Sequence, residues 1–257
     1  MAISTDLTSR RSAIRLLGVT VALNAAVFVG LRLCAAFVPA AITTAIDILA
    51  VSPDAWLERP WTFVTYMFTQ YDELHIILNM LWLAWFWLLM AEAGIPARSI
   101  AATYISGGLS AAVVYAALAP GGMLVGSSGA VMAVVAATAV SIPRRRIDLP
   151  LLRPVSVVVA AGVIIAISAV CMAYGSPWSH AAHLAGIGTG AIAGAVIRSR
   201  RKAGLLVTTP SGCDSRPIPA SLLEKLRTSG YDSLSDAERL MLINGSLRKT
   251  STEQSLK

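Results

Sequence analysis

Charged residues are scarce in this sequence. Asp, Glu, Lys and Arg make up 14% of the 257 residues, whereas 56% are hydrophobic and the mean hydropathy is +0.68. A soluble domain normally carries about 25% charged residues. A chain this apolar could not cover a water-facing surface, so the composition argues against a soluble enzyme or a disordered protein. It favours a membrane protein that crosses the bilayer several times.

Cysteine is also scarce and has no useful spacing. The three cysteines, Cys34, Cys171 and Cys213, form no metal-ligand motif, and an odd number argues against a disulfide framework. The net charge of +7 comes from short basic clusters between apolar runs rather than from a continuous basic stripe. This pattern is typical of cytoplasmic loops beside a membrane, so no nucleic-acid partner is expected.

Six apolar runs predict an all-α, polytopic membrane protein. The predicted spans are residues 16–38, 75–91, 100–119, 127–142, 155–174 and 181–197. The second, fourth and sixth are short, at 17, 16 and 17 residues. Helices this short are expected to stop below the membrane surface and to leave a wet space above their ends.

Basic residues predict the orientation of these spans. With the N-terminus inside, the inner segments as far as Lys202 hold twelve Lys and Arg residues, and outer segments between spans hold Arg59 alone. The positive-inside rule therefore places both termini, residues 1–15 and 198–257, in the cytoplasm, with the domain 16–197 in the cell membrane. The long, aromatic-rich outer segment 39–73 is expected to lie embedded in the membrane interface.

The polar tail is expected to form a small helical hairpin. Leu222, Leu223 and Leu226 make one apolar helical stripe, and Gly230 interrupts the chain after it. Ser235 and Glu238 then have the spacing of a capping box for a second helix. The sequence does not indicate whether the tail has a partner.

Polar residues gather at the outer ends of the three short spans. His75 opens the second span and Asn79 follows one helical turn later on the same face, while Ser128 and His183 lie near the starts of the fourth and sixth. Three distant parts of the chain thus converge on one depth and one side of the bilayer. Because polar residues inside a membrane are costly, this convergence indicates a functional site.

Small residues flank the serine and follow the histidine. Gly126 lets the chain turn tightly into the fourth span, and Gly129 lets a neighbouring backbone approach closely. Gly186 and Gly190 lie on the same face of the sixth span as His183. Packing of this face against the small residues of the fourth span would bring the histidine next to the serine.

A serine becomes a nucleophile when a base lies beside it, and a neutral imidazole is the commonest base. No acidic residue lies within a span, so we expect a dyad of Ser128 and His183 rather than a triad. The backbone amide of Ser128 and the side chains of His75 and Asn79 are then the natural donors to an oxyanion.

Other interpretations stay open at this level. Serine and glycine are common where membrane helices pack, so the GxSG pattern alone is weak, and His183 could be a packing residue. A metal site from His75, His180 and His183 lacks a carboxylate at ligand spacing, so no metal or other cofactor is expected. A transporter would need paired charges or broken helices near mid-membrane.

Taken together, the motifs resemble the rhomboid family of intramembrane serine proteases. The chain has Gly126-Ser127-Ser128-Gly129 for the family's GxSG, His75 to Asn79 for HxxxN, and Ala182-His183 with Gly186 and Gly190 for AHxxGxxxG. The resemblance covers roughly residues 12–200 and implies a six-helix core with residues 39–73 as its membrane-embedded first loop. It also implies transmembrane protein substrates in the lipid bilayer.

By this resemblance Ser128 is the nucleophile, His183 is the general base, and His75, Asn79 and the Ser128 amide form the oxyanion hole. Two positions depart from the family pattern: Thr62 follows Trp61 where the family often has Trp-Arg, and Met132 stands where bacterial relatives often have an aromatic residue. The rival interpretation is an inactive relative that binds membrane helices without cutting them. Such a relative would be expected to lack the serine or the histidine.

Overall fold

The structure is a computed structural model that describes residues 2–70, 72–147, 154–171, 176–203, 220–230, 233–235 and 238. Its contacts divide the chain into two units, residues 7–207 and residues 1–6 together with 208–257. Helices account for most of the described residues, and the only strands among them are β1 and β2, which form a two-residue antiparallel pair. The predicted all-α fold is confirmed.

The regular elements of the described residues follow one another along the chain. They are α1 Ala2–Phe37, α2 Ile42–Leu49, α3 Thr62–Thr65, α4 Glu73–Glu92, α5 Ala97–Leu118, α6 Ser128–Ser141, β1 Arg146–Ile147, β2 Val155–Ser156, α7 Val157–Cys171, α8 Pro177–Lys202 and α9 Ala220–Ser229. Helices α1, α4, α5 and α8 are long and apolar enough to cross a membrane, and α6 and α7 are shorter apolar helices. The chain is therefore a polytopic membrane protein.

The observed helices extend the predicted spans at several ends. Helix α8 begins at Pro177, four residues before the predicted start, because the Ser176 side chain accepts a hydrogen bond from the Trp178 amide at 3.3 Å and proline suits the first turn. Helix α1 begins at Ala2 rather than at residue 16. The end of the predicted fifth span, residues 172–174, lies outside the described residues.

Helix α6 forms the centre of the unit 7–207, which contains the candidate membrane spans. Eleven of its fourteen residues are buried, among them Ala133, Val134 and Ala137, which are fully enclosed. Helix α8 approaches it closely: a Cβ atom placed on Gly190 would lie 2.1 Å from the Ala133 carbonyl oxygen. One on Gly186 would lie 2.2 Å from the carbonyl oxygen of Gly129. Only glycine on α8 permits this spacing of the two backbones.

Side-chain hydrogen bonds hold the segment between α1 and α4 to the end of α2. The last carbonyls of a helix have no partner within the helix. Here three side chains donate to them: Arg59 Nη1 to Asp47 O at 3.1 Å, Trp61 Nε1 to Ile48 O at 3.0 Å, and Thr65 Oγ1 to Leu49 O at 2.8 Å. Arg59 also pairs with the Asp47 carboxylate. This chain has Thr62 where the family often has an arginine after the tryptophan. The guanidinium of Arg59, two residues before Trp61, anchors the loop instead.

After Ala203 the described residues resume with α9. This helix ends at Ser229 and is followed by Gly230, whose φ of +76° and whose hydrogen bond to Leu226 O at 3.1 Å are typical of a glycine helix cap. The Ser235 amide donates to Glu238 Oε2 at 2.8 Å and the Glu238 amide donates to Ser235 Oγ at 3.4 Å, which is the capping-box pattern. The body of the predicted second helix lies outside the described residues.

Glu238 also bonds Lys225 of α9, whose Nζ lies 3.0 Å from Oε1 and 2.9 Å from Oε2. The hydrogen bond from the Ser235 amide, followed by the bond from Lys225, lowers the pKa of Glu238 to about 2. The carboxylate thus joins α9 to the turn that follows it.

Candidate active site

The structure brings Ser128 and His183 into direct contact. A hydrogen bond joins Ser128 Oγ to His183 Nε2, although the two residues are 55 positions apart in the chain. Ser128 is the first residue of α6, and His183 lies in the second turn of α8, where it is 9% exposed. The contact follows from the close packing of the glycines of α8 against α6.

The start of α6 also presents free backbone amides. The first helical hydrogen bond runs from the Val131 amide to Ser127 O at 2.9 Å. The amides of Ser128, Gly129 and Ala130 therefore have no carbonyl partner within the helix, and the Ser127 side chain does not cap them. Free amides at a helix start favour a negatively charged oxygen beside the serine.

His75 lies against the turn that leads into α6. A Cβ atom on Gly126 would sit 2.6 Å from His75 Cε1, and Gly126 has a φ of +109°, so both the space and the backbone require glycine. The Asp72 side chain caps α4 by accepting from the His75 amide at 2.8 Å. The ring of His75 thus lies beside Gly126, which precedes Ser128 by two residues in the chain.

Asn79 is buried and is already hydrogen-bonded. Its Nδ2 donates to Gln70 Oε1 at 3.2 Å, and Gln70 Nε2 donates to Asn24 Oδ1 at 2.6 Å and to Ser127 Oγ at 2.9 Å. Asn24 and Gln70 are not among the site residues predicted from the sequence. The available signal was a lone amide in the middle of an apolar helix and a second one in an aromatic-rich loop.

A comparison with known families gives a match over the part of the chain that holds Ser128 and His183. The family model described as Rhomboid domain matches residues 57–200, which is more than half of the chain. The chain belongs to the rhomboid family. The predicted resemblance is thereby confirmed, and rhomboid proteins are generally intramembrane serine proteases, with some inactive members. No curated protein matches the chain.

The loop before α4 forms part of the wall of this rhomboid site. Val51 and Leu124 exchange backbone hydrogen bonds of 3.1 and 2.8 Å. The Gly126 amide donates to Tyr66 O at 3.0 Å, and the Tyr66 hydroxyl donates to Gly108 O at 2.7 Å. The loop therefore fixes the strand-like segment that leads directly into the serine.

A cavity of about 200 Å³ opens beside the histidine of the rhomboid domain. Its lining comes from α6, α7 and α8 and includes Met132, Ile165, Ser168, His180 and His183. Met132, at the position where bacterial relatives often have an aromatic residue, borders the same cavity as His183. His180 lines the cavity but makes no hydrogen bond to the serine among the described contacts.

The Nδ1 atoms of His75 and His183 are both buried and have no hydrogen-bond partner in the part of the chain that the structure describes. The alternative metal site weighed above would use these two residues and His180. Within the described ranges, no group of three His, Cys, Asp or Glu side chains is placed to hold a metal ion. The geometry instead pairs one of the histidines with a serine.

Proposed function

We propose that this rhomboid protein is an active serine endopeptidase that cleaves other membrane proteins within or near their spans. The observation that carries the proposal is the hydrogen bond between Ser128 Oγ and His183 Nε2. A serine hydroxyl has little nucleophilicity until a neighbouring base removes its proton. An imidazole in direct contact with Oγ supplies that base.

In the first step Ser128 Oγ attacks the carbonyl carbon of the scissile peptide bond, and its proton moves to His183 Nε2. The carbonyl oxygen becomes the oxyanion of a tetrahedral intermediate. When this intermediate collapses, Nε2 returns the proton to the leaving amine, and an acyl-enzyme ester remains on Ser128. A water molecule then attacks the ester, again with its proton passing through Nε2, and the serine is released.

The oxyanion is stabilised by donors at the start of α6 and on α4. The free amide of Ser128 lies beside the nucleophile, and the ring of His75 packs against Gly126 two residues earlier. Asn79 has a second N–H that Gln70 does not use. Fixed donors aimed at a developing charge stabilise the transition state more than the ground state, and so they lower the barrier.

The proposed substrates are transmembrane proteins in the same bilayer. Hydrolysis needs water, which fits a short α6 that begins at the polar Ser128. A helix must partly unwind to expose a carbonyl to the serine, so spans with small or helix-breaking residues should be preferred. We further propose a cell-membrane location with both termini in the cytoplasm, as the distribution of basic residues indicates.

Incubation of the purified protein with a panel of single-span membrane proteins tests this function. Wild-type protein should yield fragments cut within or near the span, and Ser128→Ala should yield none. Thr138→Val is a matched control, because Thr138 is a buried residue of the same helix whose hydroxyl donates to Val134 O at 2.7 Å. Binding of substrates without any cleavage would instead support the inactive relative.

A further inference from the structure

A chain of buried amides runs from α1 to the candidate oxyanion hole. Asn24 is 0% exposed, Gln70 is 4% exposed and Asn79 is 5% exposed. The three side chains come from α1, from the loop before α4 and from α4 itself. A buried amide that lacks partners is costly, so such a network is retained only when its members satisfy one another.

The first link of the chain fixes the orientation of all the others. The Thr20 carbonyl oxygen can only accept, so Asn24 must present Nδ2 to it, at 2.9 Å. Asn24 Oδ1 then faces Gln70, which must present Nε2. Gln70 Oε1 is left facing Asn79, and Asn79 must present Nδ2. A flip of any one amide would set two donors or two acceptors against each other.

This orientation matters for the proposed chemistry. Asn79 Nδ2 carries two N–H groups, and Gln70 uses one of them, which leaves the second for an oxyanion. If the amide flipped, its carbonyl oxygen would take the place of the donor and would repel the developing negative charge. The hole therefore needs Gln70 to present an acceptor to Asn79.

Gln70 also contacts the residue before the nucleophile. Its Nε2 donates to Ser127 Oγ at 2.9 Å. A helix-capping serine at this position would accept from the amides of Gly129 or Ala130, and the Ser127 side chain makes no such bond. The bond therefore ties Gln70 to the start of α6.

We propose that Gln70 is a positioning residue for the oxyanion hole and that Asn24, on α1, sets the orientation of Gln70. This inference rests on the proposed function. Gln70 acts through Asn79 rather than on the substrate. Helix α1 is thereby coupled to the site through the buried side chain of Asn24.

Steady-state kinetics of four forms of the full-length protein test the proposal: wild type, Gln70→Met, Asn79→Ala and the double variant. Gln70→Met should lower kcat by about 10- to 100-fold and change KM less, since the interaction it supports forms in the transition state. In the Asn79→Ala background the same substitution should change kcat by less than about twofold, because Gln70 then has nothing to orient. If the reductions in kcat of the two single variants multiplied in the double variant, the proposal would be wrong.

A conservative variant separates positioning from stability. In either protonation state the side chain of Gln70→Glu can accept from Asn79 Nδ2, so this variant should keep more kcat than Gln70→Met. Equal kcat for the two variants would contradict the proposal. If Gln70→Met does not fold, Gln70→Glu and Asn24→Leu, each alone and combined with Asn79→Ala, provide the same test of additivity.

The failure of this inference can be told apart from the failure of the proposed function. Wild type and Ser128→Ala are compared first, by cleavage and by labelling with a serine-reactive fluorophosphonate. If neither depends on Ser128, the proposed function fails, and the role of Gln70 fails with it. If both depend on Ser128 but the Gln70 and Asn79 effects multiply, only the role of Gln70 fails.

Discussion

Gly190→Ala should separate α8 from α6 and so impair the site from a distance of two helical turns. The new Cβ would lie 2.1 Å from Ala133 O and 2.6 Å from its Cα, and these are backbone atoms that cannot rotate away. Ordinary contact begins near 3.4 Å, so the helices must move apart by roughly 1.3 Å. Overpacking of this kind costs about 1–3 kcal/mol of folding stability.

The same displacement should affect catalysis more than stability. His183 lies on α8, and a shift of about 1 Å in a catalytic group can lower the rate about 100-fold. We therefore expect kcat/KM of Gly190→Ala to fall by about that factor in a cleavage assay, with a lower temperature of thermal unfolding in detergent.

Gly188→Ala is the matched control for this experiment. Gly188 lies on the same helix two residues earlier, and a Cβ placed there has nothing within 4 Å. This variant should keep both its activity and its unfolding temperature. If Gly190→Ala and Gly188→Ala behaved alike, the close approach of α6 and α8 would not be what positions the histidine.

Three other predictions concern separate parts of the chain. Asn79→Ala should lower kcat more than it raises KM, and the activation free energy should rise by up to about 3–4 kcal/mol. An unchanged kcat with lower thermal stability would show that Asn79 is not part of the oxyanion hole. A reporter fused after Arg201 should read cytoplasmic and one inserted in 39–60 external, and a reversed pattern would contradict the six-span topology. Because the pKa of Glu238 is lowered from 4.5 to about 2, the support it gives the tail is present above pH 4.5 and is lost as the pH falls through 2. Hydrogen exchange of the full chain should show this loss beside Lys225, and protection that stays constant down to pH 2 would contradict it.

The helices and the dyad could be predicted because a membrane imposes simple rules on sequence. A span needs about 20 apolar residues, so apolar runs mark the helices, and polar residues within them stand out. Small residues spaced by one turn indicate which helix faces pack together. These rules predicted Ser128 and His183 on facing helices, and the two side chains are hydrogen-bonded.

The amide network could not be predicted by the same rules. Asn24 and Gln70 are single residues without a periodic pattern, and their partners lie on other parts of the chain, so only the tertiary structure shows that they meet. The anchoring of the loop by Arg59 was missed for the same reason. The early start of α8 is different, because Ser176 followed by Pro177 is a local signal that the sequence does contain.

The central claim, that Ser128 and His183 act as one catalytic unit, is tested most directly by kcat/KM for Ser128→Ala, His183→Ala and the double variant on one cleaved substrate. The account predicts that each single change abolishes cleavage and that the double variant is no worse than either single variant. His180→Ala, which changes a cavity residue without a bond to the serine, should be mild. Cleavage by Ser128→Ala at the wild-type rate, or loss of activity in His180→Ala but not in His183→Ala, would contradict it.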